Sequence, residues 1–126
     1  MNKTDVTIVI YGHDPLLLET RRLILTKSGF APLSVADHAI AHEMIRHRDI
    51  DLLILCSSLP AEEKEWILAE LRNTRGSEMS EIKTLVITQP HSNVNFSSTK
   101  VLPSPVAPKT FQSTVTTLVS PEFSGD

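Results

Sequence analysis

The most informative stretch of this chain is Asp51-Leu-Leu-Ile-Leu-Cys56-Ser-Ser-Leu-Pro60. From Leu52 to Cys56 it is apolar without interruption, which is typical of a short strand covered on both faces, as in a parallel sheet. Pro60 ends this strand, and residues 61–72 are predicted to form a helix. In open parallel sheets, ligands bind at the carboxyl ends of the strands. We therefore expect Cys56 and the Ser57-Ser58 pair to lie at a functional site.

Strands and helices alternate on both sides of this stretch. Further strands are predicted at residues 6–11, 31–35, 84–88 and 100–102, and further helices at residues 15–28, 37–48 and from 108 onward. This alternation predicts an α/β fold in which helices cover both faces of a five-stranded parallel sheet. We expect one domain, residues 1–119, and a flexible C-terminal tail, residues 120–126.

The predicted helices carry end signals and apolar faces. Asp14 and Asp37 are expected to cap the first two helices, and Gly29 is expected to end the first one. In the first helix, apolar residues recur seven positions apart, so that side is predicted to face the core. The predicted buried residues are Leu16, Leu17, Leu23, Ile24, Ile40, Ala41, Met44, Ile45, Ile67, Leu68, Leu71, Phe111, Val115 and Leu118. The predicted exposed charges of the first helix are Glu19, Arg21 and Arg22.

Charge and cysteine content exclude several classes of function. The chain has 12 Lys and Arg against 15 Asp and Glu, a formal charge of −3, whereas a nucleic-acid-binding surface needs a basic excess. A single cysteine allows no internal disulfide. The start of the sequence has no apolar segment of signal-peptide length, and no stretch is long enough to span a bilayer. We therefore expect a cytoplasmic protein that binds neither nucleic acid nor membrane.

Several landmarks together resemble the receiver domains of bacterial two-component signalling. Residues 8–22 resemble the first strand, acidic turn and first helix of that family. Leu52 to Pro60 resembles the strand that carries the phosphorylated aspartate, with its proline four residues later. Leu85-Val-Ile-Thr88 resembles the fourth strand, and Ser104-Pro105-Val106 resembles the Lys-Pro-Phe corner before the last helix. The resemblance implies a flavodoxin-like, doubly wound fold whose fourth helix is short or missing, because the segment before Ser104 is shorter than is usual there.

The resemblance implies a pocket made of Gly12, His13, Asp14, Cys56, Thr88 and Ser104. Gly12 and His13 stand where the family has its acidic pair, and only the neighbouring Asp14 is acidic. Cys56 stands at the position of the phosphoacceptor aspartate. Ser104 stands at the position of the lysine that pairs with the phosphoryl group, so a fixed positive partner is also expected to be missing.

This pocket is not expected to support receiver chemistry. Receivers need a carboxylate nucleophile and Mg²⁺, which prefers carboxylate and water oxygens as ligands. Imidazole and thiol are poor Mg²⁺ ligands, and Asp14 by itself does not make a dedicated site. We expect no aspartyl phosphate, no metal, no cofactor and no enzymatic activity.

The Cys56 side chain has two possible chemical roles. It can be a small buried side chain at the end of a core strand, or a redox-sensing or nucleophilic thiol with His13 as its base. The sequence shows no third residue that would orient His13. A thiol-based redox sensor that uses Cys56 is therefore the alternative function.

Two other groups of side chains have a candidate role. His38 and His42 are four residues apart on one face of the second helix, with Glu43 nearby, which is either a weak metal-site signal or a solvated face. Trp66 is expected to be partly exposed, either as an interface residue or as simple surface packing.

The resemblance implies a single-domain, receiver-like protein of phosphorelay signal transduction that acts by protein–protein interaction. The implied partners are a histidine kinase, another response regulator, an output protein or a second copy of the chain. The surfaces expected to bind them are the first helix with its adjoining loops, and the final strand and helix.

Overall fold

The computed structural model describes residues 6–47, 50–75, 83–88, 100–103 and 106–119. Within these ranges, five strands alternate with four helices. The strands are β1 (Ile8–Tyr11), β2 (Leu33–Val35), β3 (Leu52–Leu55), β4 (Lys83–Thr88) and β5 (Lys100–Pro103). The helices are α1 (Pro15–Lys27), α2 (His38–His47), α3 (Ala61–Arg75) and α4 (Pro108–Val119). The predicted order of elements is confirmed, and α3 ends at Arg75 rather than at residue 72.

All five strands run parallel, in the order β2-β1-β3-β4-β5. β3 lies at the centre of the sheet and all four of its residues are buried, as its apolar run predicts. The alternation of strands and helices predicts the parallel sheet, and the strand order is the doubly wound, flavodoxin-like one that the family resemblance implies. Because the strands are parallel, the residues that follow β1, β3 and β4 meet at one edge of the sheet.

The core consists of two clusters, one on each face of the sheet, because successive strand residues point to opposite faces. One cluster packs α2 and α3 against the sheet and includes Tyr11, Leu55 and Ile67. The other packs α1 and α4 against the sheet and includes Cys56 and Phe111. The Cys56 side chain therefore lies on the α1 and α4 face, directly after the last residue of β3.

The ends of α1 are those predicted. Asp14 Oδ1 accepts hydrogen bonds from the backbone N–H groups of Leu16 and Leu17, at 3.0 and 3.4 Å, which is an N-cap arrangement. Gly29 has a φ of 101°, a left-handed conformation that favours glycine just after a helix. Asp37 caps α2 in the same way, through two backbone N–H groups.

The buried side of α1 differs from the predicted one. Leu16 is 76% exposed and Leu23 is 44% exposed, whereas Leu18, Arg21 and Leu25 are buried. The apolar triplet at 16–18 is repeated at 23–25. Three different sides of the helix therefore each carry two apolar residues seven positions apart, and the spacing does not show which side is buried. Packing against the sheet and α4 selects the side of Leu18, and this side carries Arg21 into the interior. The predicted exposure of Arg21 is therefore wrong.

The other predictions for the helices are mostly confirmed. In α1, Glu19 is exposed and forms an ion pair of 2.6 Å with the partly exposed Arg22. Ile40 of α2, predicted to be buried, is 53% exposed, because it lies one position outside the stripe that faces the sheet. The side chain of Leu71 lies outside the described residues. The remaining predicted core residues are buried or partly buried: Leu17, Ile24, Ala41, Met44, Ile45, Ile67, Leu68, Phe111, Val115 and Leu118.

Three predictions fall on segments that the described ranges do not include. These are the short or missing helix after β4 (residues 89–99), the position of Ser104, and the tail at residues 120–126. None of the helices within the described ranges combines the length and apolar content that a bilayer crossing requires.

Candidate functional site

The carboxyl ends of β1 and β3 come together at Gly12 and Cys56. Gly12 N donates to Val35 O at 3.1 Å, and Cys56 N donates to Tyr11 O at 3.0 Å, so both residues extend the pairing of the strands. A Cβ atom added at Gly12 would lie 2.9 Å from Cys56 Cβ and 3.0 Å from Ser58 Oγ. Since real Cβ contacts are longer, the approach of these two strand ends requires glycine at position 12.

Asp14 and His13 both form hydrogen bonds within the chain. The Asp14 carboxylate caps α1, as described above, and is only partly buried. His13 N donates to Ser58 Oγ at 2.8 Å, and its side chain is exposed. Thr88 is buried at the end of β4, next to β3 in the sheet. The structure thus places five of the six predicted pocket residues, all except Ser104, at one edge of the sheet, while Ser104 lies outside the described residues.

The Cys56 thiol is buried and is not activated by His13. Only 1% of Cys56 is exposed, and burial raises the pKa of its thiol. The positive charge of Arg21, a hydrogen bond from its side chain and the positive charge of Lys64 oppose this rise, and the charge of Asp14 adds to it. The ring of His13 instead lies 5.9 Å from the ring of Tyr11, between ring centroids. The thiol–imidazole pair of the alternative interpretation is therefore not formed among the described residues, and the interpretation of Cys56 as a buried side chain is favoured.

Two buried cations approach Cys56, and neither was predicted. Arg21 of α1 is 7% exposed and Lys64 of α3 is 3% exposed. Lys64 Nζ donates to Ile87 O at 2.9 Å, and burial lowers the pKa of its ammonium group, against the opposing effect of Cys56. Side chains from two other elements thus bring positive charge to the surroundings of Cys56. The expectation of a missing positive partner rests on Ser104, which lies outside the described residues, and stays a prediction.

Arg21 has unused hydrogen-bonding capacity. Its Nη1 atom is buried and has no hydrogen-bond partner in the described part of the chain. Its guanidinium carbon lies 6.0 Å from the centroid of the Phe111 ring, within the range of a cation–π interaction. The sequence does contain a signal for these buried cations. Arg21 stands between Leu18 and Leu25 on one side of α1, and Lys64 stands three and four positions before Ile67 and Leu68 on one side of α3.

These residues do not fit Mg²⁺. Among the described residues, no group of three or more His, Cys, Asp and Glu side chains is arranged to hold a metal ion. Within the described ranges, the one carboxylate that acts on Cys56 is Asp14, which already caps a helix. A divalent cation at this position would also meet the charges of Arg21 and Lys64. The described side chains therefore do not make up the oxygen-rich ligand set that Mg²⁺ prefers.

A second polar cluster joins α2 and α3 to the end of β1. Glu63 Oε2 accepts a hydrogen bond from Tyr11 Oη at 2.7 Å and lies 2.5 Å from His38 Nδ1. His38 and His42 share a face as predicted, with ring centroids 4.7 Å apart. The acidic partner of His38 is Glu63 of α3.

Trp66 completes this cluster on the surface. It is 42% exposed, as predicted, and its ring stacks on His38 at 4.7 Å and lies 3.5 Å from the ring of His42, between centroids. The histidines therefore pack against an indole. In the described part of the chain they do not form a metal site.

Comparison with solved structures identifies the fold. A CheY-like response regulator receiver domain protein from Methanospirillum hungatei JF-1 superposes with a TM-score of 0.76 at 18% identity, covering 90% of this chain and 93% of the other. A putative response regulator from Chloroflexus aurantiacus J-10-fl also gives 0.76 at 18% identity, covering 90% and 97%. A response regulator receiver protein from Sinorhizobium medicae WSM419 gives 0.73 at 20% identity, covering 90% and 94%.

The sequence matches no protein-family model and no curated protein. The structural likeness nevertheless extends over nearly the whole of each chain, at a similarity that identifies the fold. The chain therefore has the flavodoxin-like fold of response regulator receiver domains.

Proposed function

We propose that this chain is a cytoplasmic, receiver-like protein of two-component signal transduction that binds other proteins and is not itself phosphorylated or enzymatically active. One observation carries this proposal: a buried cysteine, flanked by Arg21 and Lys64, occupies the end of β3. The fold supports a place among receivers, and the chemistry of the pocket argues against phosphoryl transfer.

Phosphoryl transfer to this pocket lacks a nucleophile and a metal. The Cys56 thiol is neutral near pH 7, because burial raises its pKa, whereas the thiolate is the nucleophilic form. The Asp14 carboxylate accepts two backbone hydrogen bonds at the start of α1. A receiver relies on a divalent cation to offset the charge of the phosphoryl group. Arg21 and Lys64 cannot bind such a cation, and the Asp14 carboxylate is already used to cap α1.

The exposed side of α1 is the surface that this proposal assigns to partners. Leu16 and Leu23 lie two turns apart on that side and are 76% and 44% exposed. The Glu19–Arg22 ion pair lies beside them. An apolar pair next to charges suits a helical partner, such as the dimerisation helices of a histidine kinase. Another response regulator, an output protein or a second copy of the chain would use the same surface.

The absence of phosphorylation is tested by incubating the chain with acetyl phosphate and Mg²⁺ and measuring its intact mass, beside a receiver known to be phosphorylated. We expect no gain of about 80 Da, the mass of one phosphoryl group, on this chain. Such a gain, mapped to Asp14 or to any other carboxylate, would refute the proposal.

The binding surface is tested with charge substitutions on two helices. We expect Leu16→Glu together with Leu23→Glu to weaken binding to purified histidine-kinase dimerisation domains by at least about tenfold. Ile40→Glu is the matched control, because Ile40 is 53% exposed on α2 and lies away from α1. If the α1 variant and Ile40→Glu weaken binding equally, or if neither weakens it, α1 is not the binding surface.

A further inference from the structure

Trp66 is an exposed aromatic side chain that is held in a fixed orientation. It is 42% exposed, and its ring stacks on the ring of His38 with the two planes 16° apart. His38 Nδ1 contacts Glu63 Oε2, which also accepts a hydrogen bond from the hydroxyl of the buried Tyr11. These contacts run from the core strand β1 to the surface of α3. A partner that packs on this ring therefore loses less entropy than one that must order a mobile ring.

The side chains around Trp66 on α3 are acidic. Glu62 and Glu70 lie four positions before and after Trp66, so they share its side of the helix. Residues 61–70 contain a single lysine or arginine, Lys64, and this side chain is 3% exposed because it reaches into the core to bond with β4. The exposed surface around the indole therefore carries negative charge that this part of the helix does not balance.

Stabilisation of the helix accounts for only part of this negative charge. Glu62 and Glu63 lie in the first turn of α3, where a carboxylate favours the helix because of the helix dipole. Glu65 and Glu70 lie beyond that turn, so the dipole does not explain them. Glu62 and Glu65 are exposed, and neither forms an ion pair within the part of the chain that the structure describes. These two carboxylates are therefore available to an external cation.

We propose that Glu62, Glu65, Trp66 and Glu70 form a docking surface, the Trp66 surface, for a basic segment of a partner protein. An arginine of the partner packs on the exposed part of the indole, because a guanidinium is attracted to the face of tryptophan and stacks on it. The same guanidinium pairs with the carboxylate of Glu62 or Glu70. Positive charge on the partner matches the negative charge of the surface, and this complementarity selects a basic occupant over an acidic or a purely apolar one.

The Trp66 surface is separate from the side of α1 that carries Leu16 and Leu23. Helix α3 packs on one face of the sheet through Ile67, whereas α1 packs on the other through Leu18. A partner on one face therefore does not cover the other face. One copy of the chain can bind two proteins at once and bring them together, whereas the proposed function assigns partners to the α1 surface only.

The test selects peptides from a random library displayed on phage, with the folded full chain as bait. Peptides that bind Trp66→Ala are removed first, and those that then bind the wild type are sequenced. We expect the recovered peptides to carry an excess of Arg and Lys beside an apolar residue. Each labelled peptide should bind the wild type at least about tenfold more tightly than Trp66→Ala, as measured by fluorescence anisotropy.

Two further variants assign the contacts. Glu62→Gln together with Glu65→Gln keeps the indole but removes two charges, so it should weaken binding of the same peptides by about threefold or more and reduce its dependence on salt. If Trp66→Ala does not fold, this double variant takes its place in the removal step. Ile40→Ala is the matched control: Ile40 is 53% exposed on α2 but lies on a different side of that helix from His38, so binding should not change.

Three results would overturn the Trp66 surface. The first is that no peptide distinguishes the wild type from Trp66→Ala. The second is that the distinguishing peptides show no excess of Arg and Lys, or bind the double glutamine variant as tightly as the wild type. The third is a wild-type dimer, detected by sedimentation, that Trp66→Ala abolishes, because a second copy of the chain would then occupy the surface. The proposed function fails differently, through a phosphoryl adduct or through α1 variants that bind normally.

Discussion

Gly12 and Cys56 lie so close together that a single methyl group between them would collide with the end of β3. The distance from an added Cβ atom at position 12 to Cys56 Cβ would be 2.9 Å. This contact involves a backbone-attached carbon of a central strand, so a flexible side chain cannot relieve it. The same contact opposes any side chain at position 12, a carboxylate included, unless the strands separate.

We expect Gly12→Ala to lower the free energy of unfolding by about 1–3 kcal/mol, the usual range for adding a methyl group to a closely packed site. Gly12 does not have a positive φ, so the cost comes from the contact and not from the backbone conformation. Urea unfolding followed by circular dichroism measures it. In a Cys56→Gly background, the same change should cost clearly less, as a double-mutant cycle would show. Equal costs in both backgrounds would contradict this account.

Replacement of Arg21 by methionine should raise the free energy of unfolding by about 1–2 kcal/mol, because an apolar side chain replaces a buried, incompletely paired charge. Arg22→Met on the same helix is the control and should change stability by less than about 0.5 kcal/mol. A marked loss of stability in Arg21→Met would mean that the contacts of the guanidinium with Cys56 and Phe111 outweigh its desolvation.

Glu63→Gln should lower the free energy of unfolding by about 1–2 kcal/mol at pH 7, because the carboxylate accepts a hydrogen bond from Tyr11 and pairs with His38. Burial tends to raise the pKa of Glu63, but these two partners lower it below its usual value of 4.5. The unfolded chain then binds a proton at higher pH than the folded chain does. The stabilisation is therefore present above pH 4.5 and is lost as the pH falls through the folded-state pKa.

This pH dependence is measured by urea unfolding of wild type and Glu63→Gln at a series of pH values below 6. The difference between the two should shrink as the solution becomes more acidic. Tyr11→Phe is the matched variant, since it removes one hydrogen bond and keeps the carboxylate. A difference that stays constant down to the lowest pH would show that the Glu63 charge does not matter.

The Cys56 thiol should react with iodoacetamide at least about tenfold more slowly in the folded chain than in urea at pH 8, because burial both shields it and raises its pKa. Intact mass after timed quenching measures both rates. Faster reaction in the folded chain would instead favour the thiol-sensor alternative.

Most of the fold was predictable, because the signals for it are local. An uninterrupted apolar run predicts a buried strand, Asp14 predicts the start of α1 and Gly29 its end, and each depends on only a few consecutive residues. The alternation of such elements then restricts the topology to a parallel, doubly wound sheet. Because strand ends in such a sheet meet at one edge, Gly12, Cys56 and Thr88 were also expected to lie near one another; the pocket as a whole was implied by the family resemblance and stays a prediction.

The charges around the pocket were not predictable, because burial of a side chain depends on residues far away in the sequence. Lys64 bonds to Ile87, which is 23 positions further on, and Tyr11 bonds to Glu63 across 52 positions. The repeated apolar triplets of α1 left three sides equally suited to the core, and packing against α4 and the sheet selected the one with Arg21. Local sequence thus specified the strands, the helix ends and the order of elements. The assembled sheet and helices determined which charges lie beside Cys56, because desolvation and pairing arise only once distant segments are in contact.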